Sequence, residues 1–411
     1  MLCGTSAYGA RIVQPWQIRH VVVARAFPFL LVSFLAACSG GAGSTDETVG
    51  QDSGRADTAA DDTGSDDTGS DDTGTIADTA PPDTAPASCD LRPKCDAPLP
   101  DVGPKGSFRH TTSGWGGSAN HRGRDLFVKA GSKQWALAKF AYGGGSVAGG
   151  IVDNDAQDED VDVYLLRDCG STWKKVGTFR TTNDGAHSTE ENVIDTGGRI
   201  YVDLSTLEPV PLGVGRHRVH FVMKGDLSAT DQYIEVLPDS AKVVVTDIDG
   251  TLTTSESASF TEAFGLSPPG ANPGSAEALT ALAKRGYYML YLTARPEWFV
   301  QKTRNWLNDK GFPPGIVHTG FSLIGETGSA AINLKTSELA ALKTRTGVVP
   351  SYGFGNTDTD AAAYDNAGIS PPANRYFFKA TGDLKGGTLH DDYSKLVAPF
   401  SALPITSCPA K

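Results

Sequence analysis

From about residue 107 to residue 237 the apolar positions fall in short runs or alternate with polar ones. "DLFVKAG", "WALAKFAYG", "VDVYLLRD", "WKKVGTF", "GRIYVDL", "RHRVHFVMKG" and "QYIEVLP" are separated by Gly, Asp and Asn turns. Runs this short with a period of two read as β-strands, and about seven of them predict a β-sandwich-like domain. From about residue 241 the pattern changes. Residues 243–245 form a β-branched apolar strand. A helix over "AEALTALAKR" follows, capped by Ser275 and closed by Gly286. "YYMLYLT" is the second strand, and "PEWFVQKTRNWLNDKG" a helix with proline at its start and glycine at its end. "GIVHT" is the third strand, "TSELAALKTRTG" another helix, "SYGFGN" the fourth strand and "RYFFKA" the fifth. Strands alternating with helices predict an α/β fold with a parallel sheet covered on both faces. Ligands of such sheets bind at the carboxyl ends of the strands.

The N-terminal part has neither pattern. Arg11, Arg19 and Arg25 precede the apolar run "AFPFLLVSFLAAC", which is too short for a permanent membrane helix. Its end, Leu35, Ala36, Ala37 and Cys38, resembles the lipobox of bacterial lipoproteins. That resemblance implies a signal peptide over residues 1–38, cleavage before Cys38 and lipidation of that cysteine. With Ser39 next, it implies a lipid anchor in the bacterial cell envelope, at the outer membrane. Residues 39–88 are mostly Gly, Ser, Thr, Asp, Ala and Pro, including "DDTGSDDTGSDDTGT". They lack the apolar surface to offset ordering entropy and read as a disordered tether, with a random-coil span of about 40 Å. The repeat lacks the glycine and terminal glutamate of an EF-hand loop.

Acidic residues outnumber basic ones, 48 to 36 in 411 residues, which argues against a nucleic-acid partner. Two domains follow the tether, a β-sandwich-like one over 89–238 and an α/β one over 239–411. Cys89, Cys95, Cys169 and Cys408 are even in number and suit disulfides in an oxidising compartment, with the pairing open. In the β region, Asp153, Asp155, Asp158, Glu159 and Asp160 read as a polar loop rather than a calcium site. His110, His121 and His217 read as structural rather than ligating.

The chemistry lies at the strand ends of the second domain. Asp247 and Asp249 follow its first strand in "VVVTDIDGTLTTSE", Thr293 the second, Lys335 comes after the third, and Asn356 and Asp360 follow the fourth. Two carboxylates this close repel and resist burial, so a cation or a reaction must compensate them. Beside a divalent cation, one carboxylate can attack phosphorus while the other handles the leaving-group proton.

"DIDGT", "YLTARP", Lys335 and "GFGNTDTD" resemble, in order, the four motifs of the haloacid dehalogenase (HAD) superfamily. More narrowly, "DIDGTLTTSE", "YLTARPEWFVQKTRNWL" and "GFPPGIV" resemble the C-terminal domain shared by lipins and the large phosphatidylinositol-transfer proteins, over about residues 241–400. The resemblance implies a HAD-like Rossmannoid parallel sheet. It implies a Mg²⁺-dependent phosphatase, with Asp247 as nucleophile forming an aspartyl-phosphate and Asp249 as proton carrier. Thr251, Thr293 and Lys335 would hold the phosphoryl group. Asp247, the backbone carbonyl of Asp249, Asn356 and Asp360 would hold Mg²⁺. Thr357 stands where lipins usually have an arginine. The gaps between Asp249, Thr293 and Lys335 are short, so the sheet is expected to be uncapped and open to a large or membrane-bound phosphate ester. Phosphatidate or a related lipid phosphate is the expected substrate. The alternatives are a non-catalytic phosphatidate-binding module and a phosphatase for a soluble extracytoplasmic phosphomonoester.

Overall fold

The structure, a computed structural model, describes residues 88–110, 117–143, 153–256, 268–322 and 325–408. Cys38, the signal segment and nearly all of the expected tether lie outside the described residues.

The first half is built from short strands. β1 (Arg122–Gly123), β3 (Trp135–Lys139) and β8 (Arg199–Asp203) form a three-stranded antiparallel sheet. β2 (Leu126–Lys129), β10 (Ala229–Leu237), β9 (Gly215–Met223), β6 (Asp160–Leu166) and β7 (Trp173–Arg180) form a second sheet in that order. β4 (Ala141–Gly143) pairs with β5 (Asp153–Asp155). Leu126, Leu137, Phe140, Val163, Phe221 and Ile234 meet in the core between the main sheets.

Part of the acidic segment read as a loop is therefore a strand. β5 carries no apolar side chain, and cations of the neighbouring strands compensate it: Arg122 lies 2.5 Å from Asp153, and Lys139 2.8 Å from Asp155. The three histidines are hydrogen-bonded, as expected of structural residues. His121 bonds Ser228, His217 bonds Gly213, and His110 bonds Asp158.

The second half is a six-stranded parallel sheet. Its order is β13 (Gly315–Gly320), β12 (Tyr287–Pro296), β11 (Lys242–Thr246), β14 (Tyr352–Gly355), β15 (Arg375–Phe378) and β16 (Thr388–His390). Val243, Val244 and Val245 are fully buried, as the β-branched run requires of a central strand. The chain leaves β11 towards one edge and returns beside it as β14. The crevice at that reversal opens at the carboxyl ends of β11 and β14.

Three elements differ from the sequence expectation. Ser275 lies inside the helix Ser275–Ala283, whose cap is Gly274 at φ +78°. Helix Gly328–Thr346 starts well before "TSELAALKTRTG", so Lys335 sits within it. β16 adds an unexpected sixth strand. Among the described residues, helix Ser275–Ala283 alone is inserted between β11 and β12. A 3-10 turn (Glu297–Phe299) and helix Val300–Asp309 lie between β12 and β13, so no capping domain stands there.

The two halves share packing. Alternation along β2 sends Leu126 and Val128 into the first core and Phe127 to the other side, edge-on to Tyr288 of β12. Only residues 238–241 separate β10 from β11. Cys89 is bonded to Cys408 and Cys95 to Cys169. The first of these ties the start of the described chain to its C-terminal end.

Candidate functional site

Asp247 extends β11 by one residue, its N–H donating to the carbonyl of Phe354 on β14 at 2.9 Å. That pairing places its carboxylate at the crevice, 5% exposed. The Lys335 ammonium sits between two carboxylates, 2.7 Å from Asp247 Oδ1 and 2.5 Å from Asp360 Oδ1. Burial and the neighbouring carboxylates of Asp360 and Asp249 push the Asp247 carboxyl up to about 7, against the pull of Lys335. The same two carboxylates, Asp247 and Asp360, outweigh burial at Lys335 and raise its ammonium above its ordinary value.

Thr251 is fully buried on the turn after the aspartates. Its hydroxyl faces Asn356 Oδ1 at 2.7 Å and Asp247 Oδ2 at 3.1 Å. Gly250 holds φ +72° in that turn, and a Cβ there would lie 2.3 Å from Asn356 Nδ2. Only glycine fits there.

Asp360, expected as a metal ligand, has both carboxylate oxygens engaged by protein donors. Its Oδ1 takes Lys335, and its Oδ2 accepts the N–H groups of Asn356 and Thr357 at 3.1 and 3.2 Å and the Thr357 hydroxyl at 2.8 Å. Thr357 and Asp360 form a capping box at the start of helix Asp358–Asn366. Asp360 thus organises the loop and Lys335, and leaves Asn356 as the side chain that faces Thr251.

Asp249 has a partner the sequence reading missed. Arg295 places Nε 2.9 Å from its Oδ2 and Nη2 2.8 Å from its Oδ1. Thr293, two residues earlier and on the same face of β12, lies 3.4 Å from Asp249 Oδ2 and accepts the Arg295 N–H at 3.2 Å. The signal was the period-two spacing of Thr293 and Arg295 in "YLTARP". Glu256 was also missed, although "DIDGTLTTSE" contains it. Its carboxylate accepts from Asn356 Nδ2. Burial raises its carboxyl, and the Asn356 bond opposes this.

The calls in the second domain thus fall into two hydrogen-bonded groups, Asp247, Thr251, Lys335, Asn356 and Asp360 in one and Asp249 with Thr293 in the other, close enough for the Asp249 charge to raise Asp247. Among the described residues no group of His, Cys, Asp and Glu side chains converges as a metal cluster. The donors at hand are carboxylate, amide and carbonyl oxygens, the set a hard cation such as Mg²⁺ takes. Four carboxylates (Asp247, Asp249, Asp360, Glu256) meet two cations (Lys335, Arg295), and the remaining negative charge matches one divalent ion. The residues present fit Mg²⁺.

A separate open cleft of about 440 Å³ lies at the amino end of β13. Its arginines are already engaged, Arg216 by Glu235, Arg218 by Asp231 and Arg304 by Asp125. Among the described residues no helix is long and apolar enough to cross a membrane.

Residues 244–378 match the sequence profile of the LNS2 domain of PITM 1-3, and residues 119–236 that of the PITM 1-3 beta-sandwich domain. The chain therefore carries a β-sandwich-like region followed by a HAD-like domain with a parallel sheet. Protein retinal degeneration B of Drosophila melanogaster is 28% identical over 253 residues, 61% of this chain and 18% of that protein. Membrane-associated phosphatidylinositol transfer protein 3 of Mus musculus is 25% identical over 291 residues, 69% of this chain and 26% of that one. The chain thus spans only a minor share of these relatives' length. Among solved structures, the cobalt-bound deoxy-D-mannose-octulosonate 8-phosphate phosphatase of Haemophilus influenzae is similar at TM-score 0.29 and 15% identity, covering 40% of this chain and 90% of that one. An apo phosphoserine phosphatase is similar at TM-score 0.29 and 14% identity, covering 38% and 98%.

Proposed function

We propose that residues 239–411 form a Mg²⁺-dependent phosphomonoesterase acting on phosphatidate or a related lipid phosphate. The observation that carries this reading is the buried Lys335 between Asp247 and Asp360, at the strand ends where Asp249, Thr251, Thr293 and Asn356 also meet. Asp247 Oδ attacks phosphorus, and the bond from phosphorus to the ester oxygen breaks. Asp249 gives its proton to that leaving oxygen, then takes one from water as the water attacks phosphorus. Inorganic phosphate departs and Asp247 is regenerated. Lys335, Thr251 and Thr293 hold the phosphoryl oxygens. Asp247, the carbonyl of Asp249 and Asn356 would hold Mg²⁺, with Asp360 fixing the loop around them, and the ion would supply positive charge beside the phosphoryl oxygens. Asp249 must release one arm of the Arg295 fork for an oxygen to reach the leaving group.

The lipid reading is supported by the names of the relatives, phosphatidylinositol transfer proteins, and by the open connections around the site. The lipobox-like Cys38 adds an anchor in the bacterial envelope, at the outer membrane, with residues 39–88 as tether. One observation favours the second reading, a phosphatidate-binding module without turnover. The fork of Arg295 occupies both oxygens of the proton carrier.

The test is Mg²⁺-dependent phosphate release from phosphatidate vesicles, from soluble phosphomonoesters and from an aryl phosphate. Release from the vesicles supports the proposal. Vesicle binding without release from any substrate replaces it with the binding module, and release from soluble esters alone replaces the lipid with a soluble substrate.

A further inference from the structure

The turn after the aspartates folds back on itself. The Thr253 hydroxyl accepts the Gly250 N–H at 2.9 Å and donates to the carbonyl of Ser255 at 2.8 Å, and the Gly250 N–H also lies 3.2 Å from that carbonyl. This returns Glu256 to the end of β14, where its Oε1 accepts from Asn356 Nδ2. At the other end of the same amide, Oδ1 accepts from Thr251 at 2.7 Å. Gly250 keeps the gap open, since a Cβ there would lie 2.6 Å from Glu256 Oε1.

An amide, unlike a carboxylate, has one acceptor end and one donor end. Asn356 can serve a cation only if its oxygen faces the site. Flipped, the oxygen would meet the Glu256 carboxylate, acceptor against acceptor, and its NH₂ would face inward at the cation. We infer that Glu256 is a positioning residue that fixes the Asn356 amide with its oxygen towards Thr251 and the cation. This inference rests on the cation reading of the site and adds to it a residue acting through Asn356. Outer partners of this kind typically contribute about 10–100-fold to metal affinity.

The experiment measures Mn²⁺ binding to the substrate-free full chain by electron paramagnetic resonance, with Mn²⁺ in place of Mg²⁺. Glu256 is exposed as a residue although its carboxylate is partly enclosed beside Asn356, and its removal is expected to leave the fold intact. Glu256→Ala is expected to weaken Mn²⁺ binding by about 10–100-fold. In an Asn356→Asp background the same change is expected to cost little or nothing, because two equivalent oxygens need no orientation. Unchanged affinity in Glu256→Ala overturns the inference while leaving the cation reading intact. An equal loss in both backgrounds also overturns it, since the residue would then act as a charge. A wild-type chain that binds no Mn²⁺ overturns both.

Discussion

The guanidinium of Arg295 takes both carboxylate oxygens of Asp249 from inside the protein, with Nη1 held 3.1 Å from the Thr303 hydroxyl. Arg295 is 2% exposed, so water cannot replace what Asp249 supplies. The two aspartates should therefore respond differently to the same change. Asp249→Asn exchanges one acceptor oxygen for an NH₂ group facing a buried donor, and should cost about 1.5–3 kcal/mol. Asp247→Asn removes one of three crowded carboxylates while Lys335 keeps Asp360, and should cost less. Urea unfolding of both variants checks this, and equal midpoints would contradict it.

Lys335 compensates two buried carboxylates at once. Lys335→Met should destabilise the metal-free chain by about 3–5 kcal/mol, the usual cost of leaving buried charge unpaired. A divalent cation supplies positive charge at the same place, so Mg²⁺ should raise the melting temperature of this variant more than that of wild type. Thermal unfolding with Mg²⁺ and with a chelator reads the difference. An equal Mg²⁺ increment in both would place the cation away from Asp247.

Much of this was legible in the sequence, because its physical origin is local. A buried β-branched strand ending in two carboxylates demands compensation wherever it occurs, and the alternation of strands and helices fixed which chain ends meet there. Arg295 was not legible in the same way. It reads as one arginine in an apolar strand, and its partner lies 46 residues away. β5 was missed because hydrophobic periodicity cannot find a strand of "DND", stabilised by Arg122 and Lys139 from elsewhere. The early start of the Lys335 helix was hidden by Gly328 and Ser329, poor helix formers that nonetheless open it.

Acid should remove two identifiable contributions to stability. Burial lowers His121 from 6.5 to about 4, so folding favours its neutral form. That contribution is full above 6.5 and lost as the pH falls towards 4, on the order of 3 kcal/mol. Burial alone would raise Glu338, but Arg124 and His318 hold it down at about 2 against an ordinary 4.5. Folding favours its charged form, so its contribution is full above 4.5 and lost as the pH falls towards 2. Both act in the same direction. Asp247, raised to about 7, acts in the opposite direction over the same range, so the His121 contribution is read as a difference: between pH 6.5 and 4 the denaturant midpoint of wild type should fall relative to that of His121→Gln. A wild-type midpoint that does not change relative to that of His121→Gln between 6.5 and 4 would contradict the burial of neutral His121.

The β-sandwich-like half should unfold together with the sheet that carries the site. Glu297, just after β12 and two residues past Arg295, takes both guanidinium nitrogens of Arg199 at 2.9 and 3.0 Å, with Arg122 at 3.3 Å. Burial opposes the charge on Glu297, yet Arg199 and Arg122 hold its carboxyl far below the ordinary value. Arg124 meets Glu338 at 2.6 Å, one helical turn from Lys335, and Asp125 meets Arg304 at 2.6 Å. These pairs all cross between the halves and are nearly dry, so separating the halves would strand charge on both sides. Glu297→Ala leaves the buried Arg199 guanidinium without its carboxylate, while Arg122 keeps Asp153, and should cost about 3–5 kcal/mol. Calorimetry of the full chain should show one cooperative transition in wild type and one, shifted down, in the variant, with no early proteolytic cut at residues 238–241. A wild-type chain that melts in two steps, or a variant in which only one step moves, would make the halves separate modules and remove the sandwich from the support of the site.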